Sequence, residues 1–197
     1  FPSTQIKLIG ITGTNGKTTT ATLAYHLLRD LGFKVGLIST VENKIHDTII
    51  PSTHTTPDPV QLNALLAQMV DAGCDYVFME VSSHAAHQHR IAGLQFTGGV
   101  FTNITHDHLD YHKTFSHYLS AKKMFFDGLP KTAFALVNSD DRNGEVMLQN
   151  CVAAKYTFSV KGPANFKAQI KENVITGLVL NLDGAEFHSN LLGEFNA

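Results

Sequence analysis

A short segment rich in glycine and threonine, residues 12–20, has the residue types and order of a phosphate-binding loop. It reads Thr-Gly-Thr-Asn-Gly-Lys-Thr-Thr-Thr, follows the apolar run 6–11 and precedes a helical pattern. In this arrangement backbone N–H groups and a helix N-terminus surround a polyphosphate. Lys17 would then neutralise the β- and γ-phosphates of a nucleotide, and Thr18 would offer its hydroxyl to Mg²⁺.

The glycines of this segment do not keep the strict G-x-x-x-x-G-K spacing, because they stand at Gly10, Gly13 and Gly16. The alternative interpretation is a tight strand-to-helix turn that happens to contain a lysine. The flanking strand and helix patterns favour the phosphate-binding loop, because that motif requires both of them.

Apolar runs alternate with helical patterns over the first two thirds of the chain. This alternation predicts an α/β fold with a mainly parallel sheet and helices on both faces. From Tyr156 onward, short strand candidates separated by Gly, Pro and Asn predict a short antiparallel C-terminal extension of that sheet. The predicted strands are Ile6–Ile11, Val35–Ile38, Tyr76–Val81, Gly99–Asn103 and Ala133–Asn138, followed by Tyr156–Val160, Phe166–Lys171, Val174–Leu182 and Glu186–Leu192. The predicted helices are Thr18–Leu31, Asp58–Ala72, Phe115–Phe126 and Arg142–Gln149.

Polar segments follow four of the predicted parallel strands. They are residues 12–20, 80–84, 102–108 and 138–141. Because ligands of open α/β sheets bind beyond the carboxyl ends of the strands, we expect these segments to converge on one crevice. Glu80 would hold the Mg²⁺ of the nucleotide there, directly or through water. The alternative is an ordinary surface acid at a strand end, which the nearby phosphate-binding loop makes less favourable.

Histidine is concentrated in one part of the chain: seven of the eleven lie between His84 and His117. A zinc site is not favoured, because neither His-Glu-x-x-His nor Cys-x-x-Cys is present. His108 is the best single candidate for a ligand or hydrogen-bond partner near the phosphates. At least half of the others are expected to be solvated loop residues.

Lys122 lies on an apolar stripe of a predicted helix. A lysine in that place must extend its ammonium to water, pair with another group, or lose its charge. The pattern alone favours the first of these. The stripe is formed, at spacings of three, four and seven, by Phe115, Tyr118, Leu119, Phe125 and Phe126.

Composition excludes several classes of protein. With 197 residues, 43% of them hydrophobic, the chain can bury a substantial core as one domain. The net charge of -2 and the absence of a basic run argue against a nucleic-acid partner. No apolar stretch is long enough to span a bilayer, and two distant cysteines, Cys74 and Cys151, predict a reducing, cytoplasmic location. The chain starts at Phe1 and stops at Ala197, so we expect one domain of a larger protein.

Four segments together resemble the central ATPase domain of the Mur ligase family, over essentially all 197 residues. The first marks the wider family, which includes folylpolyglutamate synthetases, and the second and third resemble its MurE branch, the UDP-N-acetylmuramoyl-tripeptide synthetases. The segments are Gly-Ile-Thr-Gly-Thr-Asn-Gly-Lys-Thr-Thr-Thr (10–20), Met-Glu-Val-Ser-Ser-His-Ala-Ala-His-Gln-His-Arg (79–90), Thr-Asn-Ile-Thr-His-Asp-His-Leu-Asp-Tyr-His (102–112) with Tyr-Leu-Ser-Ala-Lys (118–122), and Leu-Gly-Glu-Phe-Asn (192–196).

The resemblance implies an ATP- and Mg²⁺-dependent amide-bond ligase in peptidoglycan precursor synthesis. ATP would phosphorylate a UDP-MurNAc-dipeptide, and the amine of a third amino acid would attack the resulting acyl phosphate. Residues 1–197 would be the central domain, flanked in the enzyme by a UDP-binding and an amino-acid-binding domain. The isolated domain is expected to make no product.

The resemblance also implies residue roles. The catalytic group would be Lys17, Glu80, His108 and Lys122. Mg²⁺ would be held by Thr18, Glu80, His108 and Lys122, the last as a carbamylated lysine. The nucleotide would contact Gly13, Thr14, Asn15, Gly16, Lys17, Thr18, Thr19, Asn138 and Asn196. The UDP-substrate would contact His54, Thr55, Thr56, Ser82, Gln88 and Arg90.

Two other interpretations stay open at this point: a folylpolyglutamate-type ligase core, and a nucleotide-binding fragment that is inactive in isolation. The segment 80–90 argues against the first, and the intact Lys17, Glu80, His108 and Lys122 argue against the second. The added amino acid, meso-diaminopimelate or lysine, and the oligomeric state are not determined by the sequence.

Overall fold

The computed structural model describes residues 1–52, 54–107 and 109–196, and its strands form one eleven-stranded sheet. The strands are β1 (Lys7–Thr12), β2 (Val35–Ile38), β3 (Glu42–Ile45), β4 (Thr48–Pro51), β5 (Tyr76–Glu80), β6 (Gly98–Phe101), β7 (Phe134–Asn138), β8 (Ala154–Ser159), β9 (Phe166–Val174), β10 (Gly177–Leu182) and β11 (Ala185–Ser189). The α-helices are α1 (Lys17–Asp30), α2 (Pro59–Asp71), α3 (Ser83–His87), α4 (Leu109–His112), α5 (Phe115–Asp127) and α6 (Gly144–Leu148). Single 3-10 turns lie at Pro2–Thr4 and Glu194–Asn196.

The strand order is β11-β10-β9-β8-β7-β6-β1-β5-β2-β3-β4. From β2 to β9 every neighbouring pair in this order is parallel, and β1 lies between β5 and β6. Antiparallel pairs occur only at the two ends of the described sheet. The predicted α/β fold with a mainly parallel sheet is therefore confirmed.

Alternate residues of the central strands pack on opposite faces of the sheet. On one face Phe78 of β5 joins Tyr25 of α1 in a buried cluster. On the other, Val77 and Met79 join a larger cluster that includes side chains of α2 and α5. Helices therefore cover both faces, as expected for buried parallel strands. Across the described ranges, none of the helices combines the length and the apolar character needed to cross a bilayer.

The helices begin where local chemistry allows it. The Asp58 carboxylate accepts hydrogen bonds from Val60 N and Gln61 N at the start of α2, and Thr114 Oγ1 accepts from His117 N at the start of α5. Gly16 precedes α1 with φ +82°, in the left-handed region that glycine tolerates best. The long helices predicted from sequence are all present, with ends displaced by one or two residues.

The predicted antiparallel extension differs in detail. β8, predicted within it, pairs parallel with β7, and β9 pairs parallel with β8 through Phe158 and Ser159. The antiparallel part therefore begins at the β9–β10 pair. The single predicted strand 174–182 belongs to two strands. β9 ends at Val174, residues 175–176 form a turn, and β10 begins at Gly177. The hairpin β3–β4 beside β2 was not predicted.

Candidate functional site

The loop between β1 and α1 lies against the carboxyl end of β6. A Cβ atom on Gly13 would stand 1.9 Å from Thr102 Oγ1, so only glycine permits this approach. Asn103 holds the loop by its backbone and side chain: Asn103 O accepts from Thr14 N at 2.8 Å, and Asn103 Oδ1 accepts from Asn15 N at 3.0 Å. Thr102 Oγ1 donates to Asn15 O at 2.6 Å. The loop is therefore fixed by the neighbouring strand before any ligand is bound.

Lys17 is the first residue of α1, and its side chain turns back over the loop. Its Nζ donates to Gly13 O at 2.9 Å and to Thr14 O at 2.7 Å. Burial lowers the pKa of Lys17 from its usual value, while the charges of Glu80 and Asp107 act in the opposite direction. The ammonium is thus partly desolvated and rests on carbonyl oxygens beside the helix N-terminus, where an anion would be attracted.

Glu80, the last residue of β5, is fully buried and connects the loop to β2. Its Oε1 accepts from Thr18 Oγ1 and from Thr40 N, both at 2.8 Å, and its Oε2 accepts from Thr40 Oγ1 at 3.1 Å. A carboxylate and a threonine hydroxyl so close together form a set of hard oxygen donors, which suits Mg²⁺. The alternative of a solvated surface acid is wrong for Glu80.

The main chain of Glu80 positions the paired threonines. Thr56 Oγ1 donates to Glu80 O at 2.8 Å and accepts from Ser82 N at 3.2 Å. Thr55 Oγ1 lies 3.1 Å from Thr40 Oγ1, the hydroxyl that donates to Glu80. The hydroxyl of Ser82 accepts from Ala85 N and so caps the short helix α3. The segments 54–56 and 80–82 therefore meet at one strand end.

Arg90 and Gln88 form a compact pair just after α3. Arg90 Nε and Nη2 donate to Gln88 Oε1 at 2.9 and 2.6 Å, and Arg90 Nη1 donates to Thr56 O at 3.0 Å. The guanidinium is therefore held beside the paired threonines, in a position where it can face an anionic ligand.

Lys122 does not extend to water. Its side chain is buried within α5, its Nζ donates to Gly13 O at 2.8 Å, and the ammonium lies 4.7 Å from the centre of the Tyr118 ring. Burial and, after it, the charge of Lys17 lower the pKa of Lys122 to about 7, while Asp107 acts in the opposite direction. The snorkelling interpretation favoured by the helical pattern is wrong, because the ammonium is enclosed beside the phosphate-binding loop.

One cavity of about 310 Å³ collects half of the residues selected from sequence. Its walls come from the start of α1, the ends of β2 and β5, the segments 54–56 and 82–90, and α5. The selected residues that line it are Lys17, Thr18, His54, Thr55, Thr56, Glu80, Ser82, Arg90 and Lys122. Residues of the polar segments 12–20 and 80–84 therefore converge beyond the carboxyl ends of the strands. Residues of the other two polar segments, Asn103 and Asn138, line a second cavity, so the four segments do not all share one crevice as expected.

The second cavity, of about 390 Å³, is lined by Asn103, which anchors the loop, and by Asn138 and Glu194 among others. Asn138 Nδ2 donates to Thr102 O at 2.9 Å. Asn196 lies in the turn Glu194–Asn196, where its side chain donates to Leu192 O at 2.8 Å. Both predicted nucleotide contacts thus belong to segments next to this cavity.

His108 lies outside the described residues, so its predicted place at the metal is a prediction only. Within the described ranges 1–52, 54–107 and 109–196, no three His, Cys, Asp or Glu residues cluster closely enough to hold a metal ion. The oxygens of Thr18 and Glu80 are the described groups that fit Mg²⁺.

Sequence reasoning missed three residues that shape the site. Thr40 contacts Glu80 through both its N–H and its hydroxyl, and Thr102 and Asn103 anchor the loop. Thr40 follows β2 by two residues, so the rule that ligand groups lie beyond strand ends could have found it. Thr102 and Asn103 lie in the segment 102–112, which resembles the family's sequence, but the sequence does not show that they contact the loop.

Comparisons with known proteins give the same picture. A ligase from Cytophaga hutchinsonii, named UDP-N-acetylmuramoyl-L-alanyl-D-glutamate--2,6-diaminopimelate ligase, is 60% identical over 196 residues, covering 100% of this chain and 40% of the relative. A protein of the same name from Phocaeicola vulgatus is 56% identical, with the same coverage. The chain therefore spans about 40% of the length of these relatives.

Solved structures agree in fold. A ligase with that name superposes with a TM-score of 0.86 at 29% identity, covering 97% of this chain and 40% of the other. Escherichia coli FolC in complex with DHPP and ADP superposes with a TM-score of 0.65 at 16% identity, covering 99% of this chain and 52% of the other, which shows a shared fold alone. The family model described as Mur ligase middle domain matches residues 11–197. With its anchored loop, its buried strand-end glutamate and this match over nearly its whole length, the chain belongs to the Mur ligase middle domain family.

Proposed function

We propose that this chain is the ATP-binding core of a ligase that joins an amino acid to a UDP-MurNAc-dipeptide through an acyl phosphate. The observation that carries the proposal is that one cavity is lined by Lys17, Thr18 and Glu80 together with Thr55 and Arg90. Groups suited to a nucleotide's phosphates and groups suited to a second anion share one space. A phosphoryl transfer between two anions requires that arrangement.

On the nucleotide side, the loop's N–H groups and Lys17 would hold the β- and γ-phosphates. Mg²⁺ would be held by Thr18 and Glu80, with His108 as a further proposed ligand, and would supply charge neutralisation at the transferred phosphoryl group. Lys17 would leave its carbonyl partners, Gly13 O and Thr14 O, in exchange for phosphate oxygens. Asn138 and Asn196 would contact the rest of the nucleotide.

On the acid side, His54, Thr55, Thr56, Ser82, Gln88 and Arg90 would bind the UDP-substrate. A carboxylate oxygen would attack the γ-phosphorus and displace ADP. The amine of the incoming amino acid would then attack the acyl carbon, and the tetrahedral intermediate would expel inorganic phosphate to leave an amide. Lys17 would lower the repulsion between the two anions in the first step, because its ammonium lines the cavity that both would enter.

We further propose that Lys122 acts as a carbamate. Its amine is enclosed and its pKa is about 7, so a large neutral fraction exists at neutral pH, and only a neutral amine adds CO₂. The product is an anion, which removes the cost of an ammonium in this place. Its oxygens would then serve as Mg²⁺ ligands together with Glu80.

We infer that the added amino acid is 2,6-diaminopimelate, since both relatives compared above carry that word in their names. We also propose that residues 1–197 are the central domain of the enzyme, between domains that bind uridine and the amino acid. The free, buried thiols of Cys74 and Cys151 suit a reducing cytoplasm, where we place the reaction.

The function is tested in the full-length enzyme that contains this chain, by measuring ATP binding and ADP release with two sets of substrates. Turnover that requires UDP-MurNAc-L-Ala-D-Glu together with 2,6-diaminopimelate supports the proposal. Turnover with a folate and glutamate would replace it with the folylpolyglutamate-type activity. ATP binding without turnover on any acid would leave a nucleotide-binding domain only.

A further inference from the structure

The hydroxyl of Tyr111 joins the short helix α4 to the end of α3. Its oxygen lies 3.0 Å from Gln88 Nε2 and 3.0 Å from His87 Nδ1. The Tyr111 ring also stacks, at a tilt, on His84, with 4.1 Å between the ring centres. Tyr111 stands three residues after His108, a proposed Mg²⁺ ligand, whereas Gln88 is a proposed substrate contact. The contact therefore connects the two.

The hydrogen bond to this hydroxyl holds the side-chain amide of Gln88 beside Arg90. The Gln88 oxygen accepts two N–H groups of Arg90, and the Gln88 nitrogen donates to Tyr111. An amide turned by 180° would place its NH₂ group against the guanidinium, donor facing donor. Arg90 therefore fixes which way the amide faces, and the Tyr111 hydroxyl anchors the other side of the amide.

The amide in turn fixes the guanidinium of Arg90. Gln88 Oε1 holds Nε and Nη2, and Thr56 O holds Nη1 at 3.0 Å. A guanidinium has five N–H donors. Three are used in these contacts, which leaves one each on Nη1 and Nη2 for a ligand. These remaining terminal donors can bind an oxygen of a carboxylate or phosphate.

We propose that Tyr111 is a positioning residue for Arg90: its hydroxyl anchors the Gln88 amide, and the amide aligns the guanidinium with an anionic group of the acid substrate. The inference rests on the proposed function, since it takes Arg90 to bind that substrate. Tyr111 itself does not line the cavity in which the substrate would sit. Its effect should therefore appear in the binding of the acid and not in the binding of ATP.

The first test is Tyr111→Phe in the full-length enzyme, which keeps the ring against His84 and removes only the hydroxyl. We expect KM for the UDP-MurNAc-dipeptide to rise about five- to tenfold, the scale of one lost hydrogen bond. KM for ATP and kcat should stay within about twofold. The matched control is Tyr76→Phe, which removes a hydroxyl that accepts from Lys7 Nζ at the opposite end of the parallel strands. Equal rises in both KM values, or none, would overturn the proposal.

The second test separates action through Gln88 from general structural damage. Gln88→Ala removes the amide through which Tyr111 would act on Arg90, so the effects of the two substitutions should not add. In that background Tyr111→Phe should change KM for the acid less than twofold. A rise as large as that in the unaltered background would show that Tyr111 acts by another route.

A third measurement does not depend on turnover, so it distinguishes failure of this inference from failure of the proposed function. In ¹⁵N-arginine-labelled full-length enzyme, assigned with Arg90→Lys, the Nε–H of Arg90 should exchange with solvent several-fold faster after Tyr111→Phe. Unchanged exchange would overturn the positioning role, whether or not the enzyme turns over the UDP-substrate.

Discussion

Lys17 and Lys122 donate hydrogen bonds to the same acceptor, the carbonyl oxygen of Gly13, at 2.9 and 2.8 Å. A carbonyl oxygen has two lone pairs and can accept both. Two ammonium groups nevertheless repel each other there, and the charge of Lys17 is the second largest cause that lowers the pKa of Lys122. The two lysines therefore act on each other through one backbone atom of the phosphate-binding loop.

Nucleotide binding should depend on Lys17. We expect Lys17→Ala to weaken ATP–Mg²⁺ binding by about 1.5–3 kcal/mol, because a charge-assisted contact to phosphate is lost. Isothermal calorimetry on the full-length enzyme measures this directly. Lys34→Ala removes an exposed lysine beyond the other end of α1 and should leave the affinity unchanged. Equal affinity of Lys17→Ala and the unaltered enzyme would remove the loop lysine from nucleotide binding.

The stability of the chain should depend on pH through Lys122. Its folded-state pKa is about 7, below the ordinary value of 10.5, so the cost of the buried ammonium is fully present below pH 7. Between pH 7 and 10.5 the unfolded chain binds more protons, so the free energy of unfolding rises with pH. Relative to Lys122→Met, the unaltered chain should gain about 1–2 kcal/mol from pH 7 to 9.

Urea unfolding in CO₂-free buffer at several pH values tests this difference. Lys123→Met is the matched control, because Lys123 is the neighbouring lysine and pairs with Asp127 on the helix surface. Stability curves of Lys122→Met and the unaltered chain that run parallel across this range would show that Lys122 titrates normally.

Activity should require the carbamate of Lys122. Lys122→Ala is expected to abolish ligase activity in the full-length enzyme with the fold intact, since the proposed Mg²⁺ ligand is lost. Added formate or acetate should restore part of the activity by supplying carboxylate oxygens at the empty place. ¹³C NMR after ¹³CO₂ labelling should show one carbamate signal that disappears in Lys122→Ala. A bare ammonium in an active, nucleotide- and Mg²⁺-bound enzyme supplied with CO₂ would contradict the carbamate.

Gly13 should tolerate no side chain. In Gly13→Ala the new Cβ would come within 1.9 Å of Thr102 Oγ1 and 3.0 Å of Asn103 O, so the loop must move away from β6. We expect a loss of about 1–3 kcal/mol in the free energy of unfolding, the range found for overpacking. Gly162→Ala, where the nearest atom is 3.8 Å away, is the control and should change stability little. Equal unfolding midpoints for the two variants would show that the loop adapts without cost.

The sequence predicted the parts of the fold that local pattern determines. An apolar run, glycines and helical periodicity predict β1, the loop and α1. Asp58, a good capping residue, predicts the start of α2. The hairpin β3–β4 was missed because its turn, at His46 and Asp47, contains no glycine, and His46 adopts φ +50°. That turn is fixed by a distant contact, in which Tyr25 OH donates to His46 O at 2.6 Å.

For the candidate site, too, the sequence predicted what local pattern determines and missed what depends on contacts between distant segments. Strand-end polar residues such as Glu80 can be found from their place in the pattern. The burial of Lys122 was not predicted, because a helical stripe does not show which part of the chain packs against it. Here the loop around Gly13 packs against it. The pairing of Gln88 with Tyr111 depends on two segments that only the folded chain brings together.

Glu80 has one further consequence. Its carboxylate holds Thr18 of the nucleotide loop, and its main-chain oxygen holds Thr56 of the acid side. In the proposed function both reactants are therefore positioned by a single residue at the end of a central strand, and the distance between them is set within residues 1–197. Rotation of the proposed flanking domains would change how substrates enter and leave, while the separation of phosphorus and carboxylate oxygen would stay the same.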